Sequence, residues 1–331
     1  MKGFDPEFRD LDHYIRVITD RIWEGRRMGD IRRYYAQDCA VETPAVVTVG
    51  LQPVIEGTRA TLAAFPDRRL LAEDVIFSGD EERGFMSSHR ILSPMTHAGP
   101  GAFGPPTGKT VYARTIADCV CLNNRIVHEW LVRDQAAIAR QIGLREQDLA
   151  QRWLDQRGGF KKAGMPPAPP PYTSFIDTTA AARRYAQGLR QVWATAAPGD
   201  AARGAGQRLR IELAQTHADP CITALPGGET ANGIEALGRF WAGLTGALTL
   251  QSLEIEHLVA NPRPGRATAL AMRWRAQTLH TGAGRYGPPS GRPVELLGIS
   301  HAELQEGKVV REWLLIDDVA VWMQVLLPRS A

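Results

Sequence analysis

Several features that mark specialised proteins are scarce in this sequence or missing from it. It has four cysteines in 331 residues, Cys39, Cys119, Cys121 and Cys221, and no CxxC pair. That supply excludes a disulfide scaffold and leaves reduced core residues as the expectation. Net charge is nearly absent, 39 Lys plus Arg against 36 Asp plus Glu leaving +3. So small a surplus makes no basic footprint, and no nucleic-acid partner is expected. No run approaches the roughly 20 apolar residues of a membrane helix, and residues 319–327 form the most apolar stretch. The opening MKGFDPEFRDLDHY mixes acids and bases ahead of any apolar run, unlike a signal peptide. A cytoplasmic protein without membrane contact is the expectation.

Catalytic and cofactor signatures are missing too. The eight histidines, at 13, 89, 97, 128, 217, 257, 280 and 301, form neither HxH nor HExxH, so no metal is expected. A GxSxG elbow is absent, and no cysteine lies in a nucleophile motif. Gly99, Gly101 and Gly104 match GxGxxG, and Gly282, Gly284 and Gly287 repeat it. A dinucleotide site needs a helix after those glycines, whereas Pro105-Pro106 and a Val-rich strand follow here. The segment from Gly104 to Thr110 is one residue short of a P-loop, and its Lys109-Thr110 becomes Arg292-Pro293 in the repeat. It reads as a hairpin turn, and no cofactor is expected.

What the chain does have is an ordinary globular composition, 44% hydrophobic and 23% charged, and a length that suits two domains. Residues 158–171, GGFKKAGMPPAPPP, cannot build a helix or a central strand and read as a semi-rigid linker. The expected organisation is a domain over 1–157, a linker over 158–173 and a domain over 174–331.

The two halves are copies of one unit. From His97 and from His280 the sequence runs without gaps through matching positions: Gly104-Pro105-Pro106 with Gly287-Pro288-Pro289, Glu129-Trp130-Leu131 with Glu312-Trp313-Leu314, Asp134 with Asp317, and Gln141 with Gln324. Nearer the start Trp23 pairs with Trp193 and Gly29-Asp30 with Gly199-Asp200, so the second copy carries extra residues, expected around Ala201 to Gln207. Apolar spacing predicts an opening helix in each copy, a second near 30–35 and a third near 54–65. Strands are predicted over 70–78, 84–97, 110–122 and 125–133, with a short helix over 135–142. This is an antiparallel meander covered by helices, an α+β fold.

Three ionisable residues recur in both copies: Arg90, His97 and Asp134, then Arg273, His280 and Asp317. Asp134 precedes a helix and so has an N-cap role open to it. If instead it projects to the concave face, alternation carries Val132, Trp130 and His128 there too. Desolvation would then raise its pKa and fit it for general acid/base work. His97 either organises the strand-to-turn junction or stabilises an oxyanion. Arg90 alternates away from His97 and is expected to pair with an acid such as Glu129. His89 is in phase with His97 and becomes Met272 in the repeat.

These residues resemble a known family. HAGPGAFGPPTGKT followed by RIVHEWLVRDQAAIARQIG is similar to the SnoaL-like polyketide cyclases of the NTF2-like superfamily. The likeness covers about 8–143 well and about 176–327 mainly toward its end. It implies two tandem NTF2-like cone domains, each with N-terminal helices packed on a strongly curved antiparallel sheet around a hydrophobic pocket. It also implies cofactor-independent chemistry, an aldol-type cyclisation or isomerisation of a small apolar carbonyl compound. The family's acid/base aspartate matches Asp134, with His97 and Arg90 beside it and Trp130, His128, His89 and Trp313 as pocket wall. Asp317, His280 and Arg273 would form a second site, weakened because Leu279 replaces Thr96. The alternative is a non-catalytic binding protein for a hydrophobic metabolite, its second domain a structural pseudo-dimer partner that homodimerisation could extend.

Overall fold

A computed structural model describes residues 1–195 and 202–327. The chain divides into two compact units, Met1–Ser174 and Phe175–Ala331.

The first unit opens with α1 (Leu11–Thr19), capped by Asp10, whose carboxylate accepts the His13 N–H. A π-helical turn, Asp20–Glu24, continues it. A π-turn inserts one residue, which explains why Tyr14 stands nine residues before Trp23 while Tyr185 stands eight before Trp193. After it come α2 (Ile31–Tyr34), β1 (Tyr35–Thr43), β2 (Val46–Val49), α3 (Leu51–Ala64), β3 (Leu71–Asp80), β4 (Gly84–Thr96), β5 (Thr110–Leu122), β6 (Arg125–Arg133), α4 (Gln135–Ile142) and α5 (Glu146–Arg157). The second unit repeats the plan with α6 (Ala180–Thr195), α7 (Ala202–Thr216), β7 (His217–Leu225), β8 (Glu229–Asn232), α8 (Gly233–Ala247), β9 (Leu248–Asn261), β10 (Thr268–His280), β11 (Pro293–Gln305), β12 (Lys308–Leu315) and α9 (Asp318–Val325).

Each sheet has six strands, in the orders β2-β1-β6-β5-β4-β3 and β8-β7-β12-β11-β10-β9. The sheets are mixed, because β1 runs parallel to β6 and β7 to β12. This corrects the purely antiparallel expectation. The missed strand, YAQDCAVET, carries too many polar residues to alternate cleanly, and its register with β6 shifts between Tyr35 and Ala40. Of the extra residues in the second copy, Gly199, Asp200 and Ala201 lie outside the described residues, while 202–207 belong to the 15-residue helix α7.

The linker residues lie on the first unit. Lys162 pairs with Glu42 at 2.6 Å, and the carbonyl of Pro166 lies 2.8 Å from Nε2 of His128. The hydroxyl of Tyr172 reaches the sulfur of Met86.

One hairpin determines which residues face the core. Asn123 and Asn124 both have positive φ, 48° and 65°, as a two-residue type I′ turn requires. Simple alternation from that turn would send His128 and Trp130 inward with Ile126. A bulge intervenes: Cys121 pairs with Ile126 but Val120 pairs with His128, so Val127 is the extra residue. Ile126 and Val127 both pack on the helix-covered core, as does Leu131. Beyond the bulge the inward residues are therefore Glu129 and Leu131, while His128, Trp130 and Val132 face the other way. The second unit has the same shift, between Glu303 and Leu304 opposite Arg311 and Val309.

Candidate functional site

Glu129 lies at the centre of the first unit's concave face. It stands opposite Cys119 on β5, which in turn stands opposite Ser87 on β4. Burial pushes its carboxyl up to about 7, against the lowering effects of a hydrogen bond from Tyr35 and the charge of Arg133. The hydroxyl of Tyr35 donates to Oε2 at 3.4 Å. The floor and walls around it, Cys39, Cys119, Leu131 and Tyr14 among them, belong to the apolar core.

The second unit places Glu312 at the equivalent position and surrounds it differently. Tyr185 donates to Oε1 at 2.5 Å, while Thr223 Oγ1 and His217 Nε2 each lie 3.3 Å from Oε2. Thr216 Oγ1 holds the other imidazole nitrogen at 2.9 Å. Burial again acts to raise the carboxyl, but the hydrogen bonds and the charge of His217, with Tyr185 and Thr223, outweigh it and hold Glu312 below its usual range. The first unit lacks these donors. His217 is replaced by Tyr35, Thr223 by Val41, and the counterpart of Tyr185 is Tyr14, whose buried hydroxyl has no partner among the described residues.

A cavity in the second unit is lined by Tyr185, His217, Trp241, Met272, Ser300 and Glu312, among others. It is so narrow that it holds little more than a water-sized molecule. Trp274 is fully buried and sits over Gly298, where a Cβ would come within 2.2 Å of the indole.

The residues singled out by sequence are dispersed. Asp134 is buried, and its Oδ1 accepts the Ala137 N–H at 2.9 Å as the N-cap of α4. Asp317 caps α9 in the same way, accepting from Val319 and Ala320. His97 holds the β4–β5 loop: Nδ1 lies 3.2 Å from Thr107 Oγ1, its carbonyl accepts from Thr107 and Gly108, and its ring packs on Phe65 and Phe103. None of its contacts is with Asp134 or Arg90. His280 and Ser290 repeat the arrangement at 3.0 Å.

Arg90 does not pair with Glu129. Its Nε reaches Glu73 at 3.1 Å, and Arg114 binds the same carboxylate. Glu129 faces the opposite side of the sheet, so the expected pair is sterically excluded. Arg273, Arg275 and Glu256 repeat the network. His128, Trp130 and Trp313 lie on the face away from the glutamates, which corrects their assignment as pocket wall; the bulge is the reason. His89 does lie on the concave face, opposite Val75 and Ala117.

The glycine motif has a steric origin. A Cβ on Gly99 would come within 1.9 Å of the Ala63 carbonyl, and one on Gly282 within 1.8 Å of that of Gly246, so each glycine lets its loop press on the end of a helix. Among the described residues no group of His, Cys, Asp or Glu is arranged to hold a metal, and no helix is long and apolar enough to cross a membrane.

Comparison with known proteins gives the family. The family model for SnoaL-like polyketide cyclase matches residues 14–142 and again 207–325. The chain belongs to that family. Its two tandem copies have the NTF2-like α+β architecture, six strands with helices on each sheet. No curated protein matches the chain significantly. Similar solved structures include IdmH of Streptomyces antibioticus, 20% identical over 40% of this chain and 96% of that one, with a TM-score of 0.35. A SnoaL-like polyketide cyclase of Agrobacterium tumefaciens is 20% identical over 41% of this chain and 99% of its own, with a TM-score of 0.33.

Sequence inspection missed Glu129 and Glu312 as functional candidates. A signal was present in the repeated Glu-Trp-Leu, but the tryptophan drew the assignment to the wrong face.

Proposed function

We propose that the first unit is a cofactor-independent acid/base catalyst acting on a small apolar carbonyl compound, and that Glu129 rather than Asp134 moves the proton. The observation that carries this is a carboxyl poised near neutrality, buried on an apolar face with a single long hydrogen bond from Tyr35. A base of that kind needs little driving force to take or return a proton at pH 7. Family membership supports the reaction class. Asp134, by contrast, already spends an oxygen on its helix cap.

The chemistry follows from the carboxyl's two states. Ionised Glu129 removes a proton from the carbon next to a carbonyl, leaving an enolate and a neutral carboxylic acid. The enolate carbon either attacks a second carbonyl, forming the C–C bond of an aldol closure, or is reprotonated elsewhere in an isomerisation. In the closure the alkoxide takes the proton back from Glu129, which restores the carboxylate. The second unit, with its glutamate held anionic by three donors, is proposed to be structural rather than catalytic.

The test is solvent-deuterium exchange into the acetyl group of 6-acetyl-2-naphthol, followed by proton NMR. Exchange that disappears in Glu129→Gln and persists in Asp134→Asn and Glu312→Gln supports the assignment. Exchange lost in Asp134→Asn but kept in Glu129→Gln would return the role to the aspartate.

A further inference from the structure

Guanidiniums gather at one end of the first unit's sheet. The segment between α3 and β3 runs along the end of β4, where the Arg69 N–H donates to the Pro94 carbonyl at 3.1 Å and the Thr96 N–H to Oδ1 of Asp67 at 2.7 Å. Arg68, between those two anchors, is only 5% exposed. Its guanidinium has no hydrogen-bonded or ion-paired partner among the described residues. Its charged neighbours are Arg133, Arg26 and Glu24. Burial and the two like charges pull its pKa well below the usual arginine value, and Glu24 opposes them only in part.

The acid in this group is already engaged. Nε of Arg69 lies 3.3 Å from one oxygen of Glu24, and the Leu70 N–H donates to the other at 2.6 Å. Arg26 is exposed and reaches in from solvent, donating to the carbonyls of Pro66 and Arg68 at 2.9 and 3.0 Å. Arg133 ends β6 on the inward face, two inward positions beyond Glu129 and about 13 Å along the strand from it. A buried cation among cations is costly unless an anion compensates it.

Neutral donors stand beside the guanidiniums. Thr115 is opposite Arg133, and Ser93 is opposite Ala113, the next inward residue of β5. Both hydroxyls lack a partner among the described residues, and neither side chain is more than 2% exposed.

The repeat does without this group. At the corresponding positions Arg68 becomes Gln251, Arg133 becomes Ile316, Thr115 becomes Gly298 and Ser93 becomes Ala276, while further in His89 becomes Met272. The second unit builds the same fold without the two cations and the two hydroxyls. That sets them apart from Arg90, His97 and Asp134, whose structural contacts both copies keep.

We infer that the first unit binds a phosphate dianion at this end of its sheet, held by Arg68 and Arg133, with Thr115 and Ser93 donating from the strands and Arg26 on the solvent side. The planar guanidinium fork suits such an oxyanion. Three guanidiniums whose neighbouring acid is engaged elsewhere carry more charge than one carboxylate neutralises, which favours a dianion. The phosphate is either free or carried on a larger molecule. The site is separate from the proton-handling carboxyl and stands whether or not Glu129 has that role.

Isothermal titration of the full chain tests the inference at constant ionic strength and about pH 8, where phosphate is mostly dianionic. The intact protein should bind inorganic phosphate saturably and about tenfold or more tightly than acetate. Arg68→Gln, which installs the second unit's own residue, should weaken phosphate binding by about tenfold or more, the worth of a buried charge-assisted hydrogen bond. Arg239→Gln, on an exposed helix of the second unit, should leave it unchanged. Should Arg68→Gln not fold, Arg26→Gln at the exposed edge takes its place and should weaken binding about threefold. Phenyl phosphate as a third probe separates the two sources: tighter binding than inorganic phosphate supports a carried phosphate, and weaker binding supports the free ion. Absence of saturable phosphate binding, acetate binding as tight as phosphate, or phosphate affinity unchanged in a folded Arg68→Gln or, failing that, in Arg26→Gln overturns the inference.

Discussion

Tyr35 donates to Glu129 across 3.4 Å, and this is the only side-chain hydrogen bond the buried carboxyl receives among the described residues. In the second unit His217 takes the place of Tyr35, and Tyr185 and Thr223 join it on Glu312. One duplicated position has thus been given two environments, one that favours the neutral acid and one that favours the anion.

Opposite pH dependence of stability follows. An unfolded glutamate titrates near 4.5 and folded Glu129 near 7. Between those values the folded state keeps a proton that the unfolded state has lost, so stability falls as pH rises through the window. The total is about 3 kcal/mol, at about 1.4 kcal/mol per unit. Glu312, held below 4.5, works the other way: its contribution is present above that pH and is lost as pH falls through its folded value. Thermal denaturation should therefore show Glu129→Gln stabilising at pH 8, and Glu312→Gln destabilising there by about 1–3 kcal/mol.

Removing the helix cap should cost stability without costing chemistry. Asp134→Ala loses the bond to Ala137 and should destabilise by about 1 kcal/mol, while Asp134→Asn, an equally good cap, should be close to neutral. Urea unfolding of the pair separates a capping role from any other. A large loss of deuterium exchange in Asp134→Asn with stability intact would show that the aspartate does more than cap.

A third expectation concerns Glu73, which two guanidiniums share. Arg90 is almost fully buried there, and burial pulls its pKa down. Glu73→Gln should cost about 1–2 kcal/mol, because Glu73 is only partly buried and the charge of Asp74 also favours the ionised Arg90. Replacing Arg114, which is more exposed, should cost much less. Paired replacement, Arg90→Met with Glu73→Leu, should recover most of the loss in the same denaturation assay.

Much of the fold was legible because duplication doubles each signal. The strands from Gly84 to Arg133, the helix Gln135–Ile142 and the Asn-Asn hairpin follow from alternation, apolar spacing and turn chemistry. Strand β1 did not, since the exposed Gln37 and Asp38 interrupt its alternation and its parallel partner is remote in sequence. The site was less legible than the fold. Arg90, His97 and Asp134 recur because each holds a piece of structure in place, a salt bridge, a loop and a cap. The orientation of Glu129 depends on one bulged residue, Val127, and alternation cannot see a bulge. The divergence between the copies was visible at His89 and Met272, but its meaning needed the face to be known.

The most direct test is the ionisation of the two glutamates, read from the side-chain carboxyl carbon shifts of 13C-glutamate-labelled protein between pH 3 and 9. Glu129→Gln and Glu312→Gln identify the two resonances. Titration of Glu129 near 7, with Glu312 titrating below 4.5, is the predicted result. A Glu129 that titrates near 4.5 like an exposed carboxyl would contradict the account.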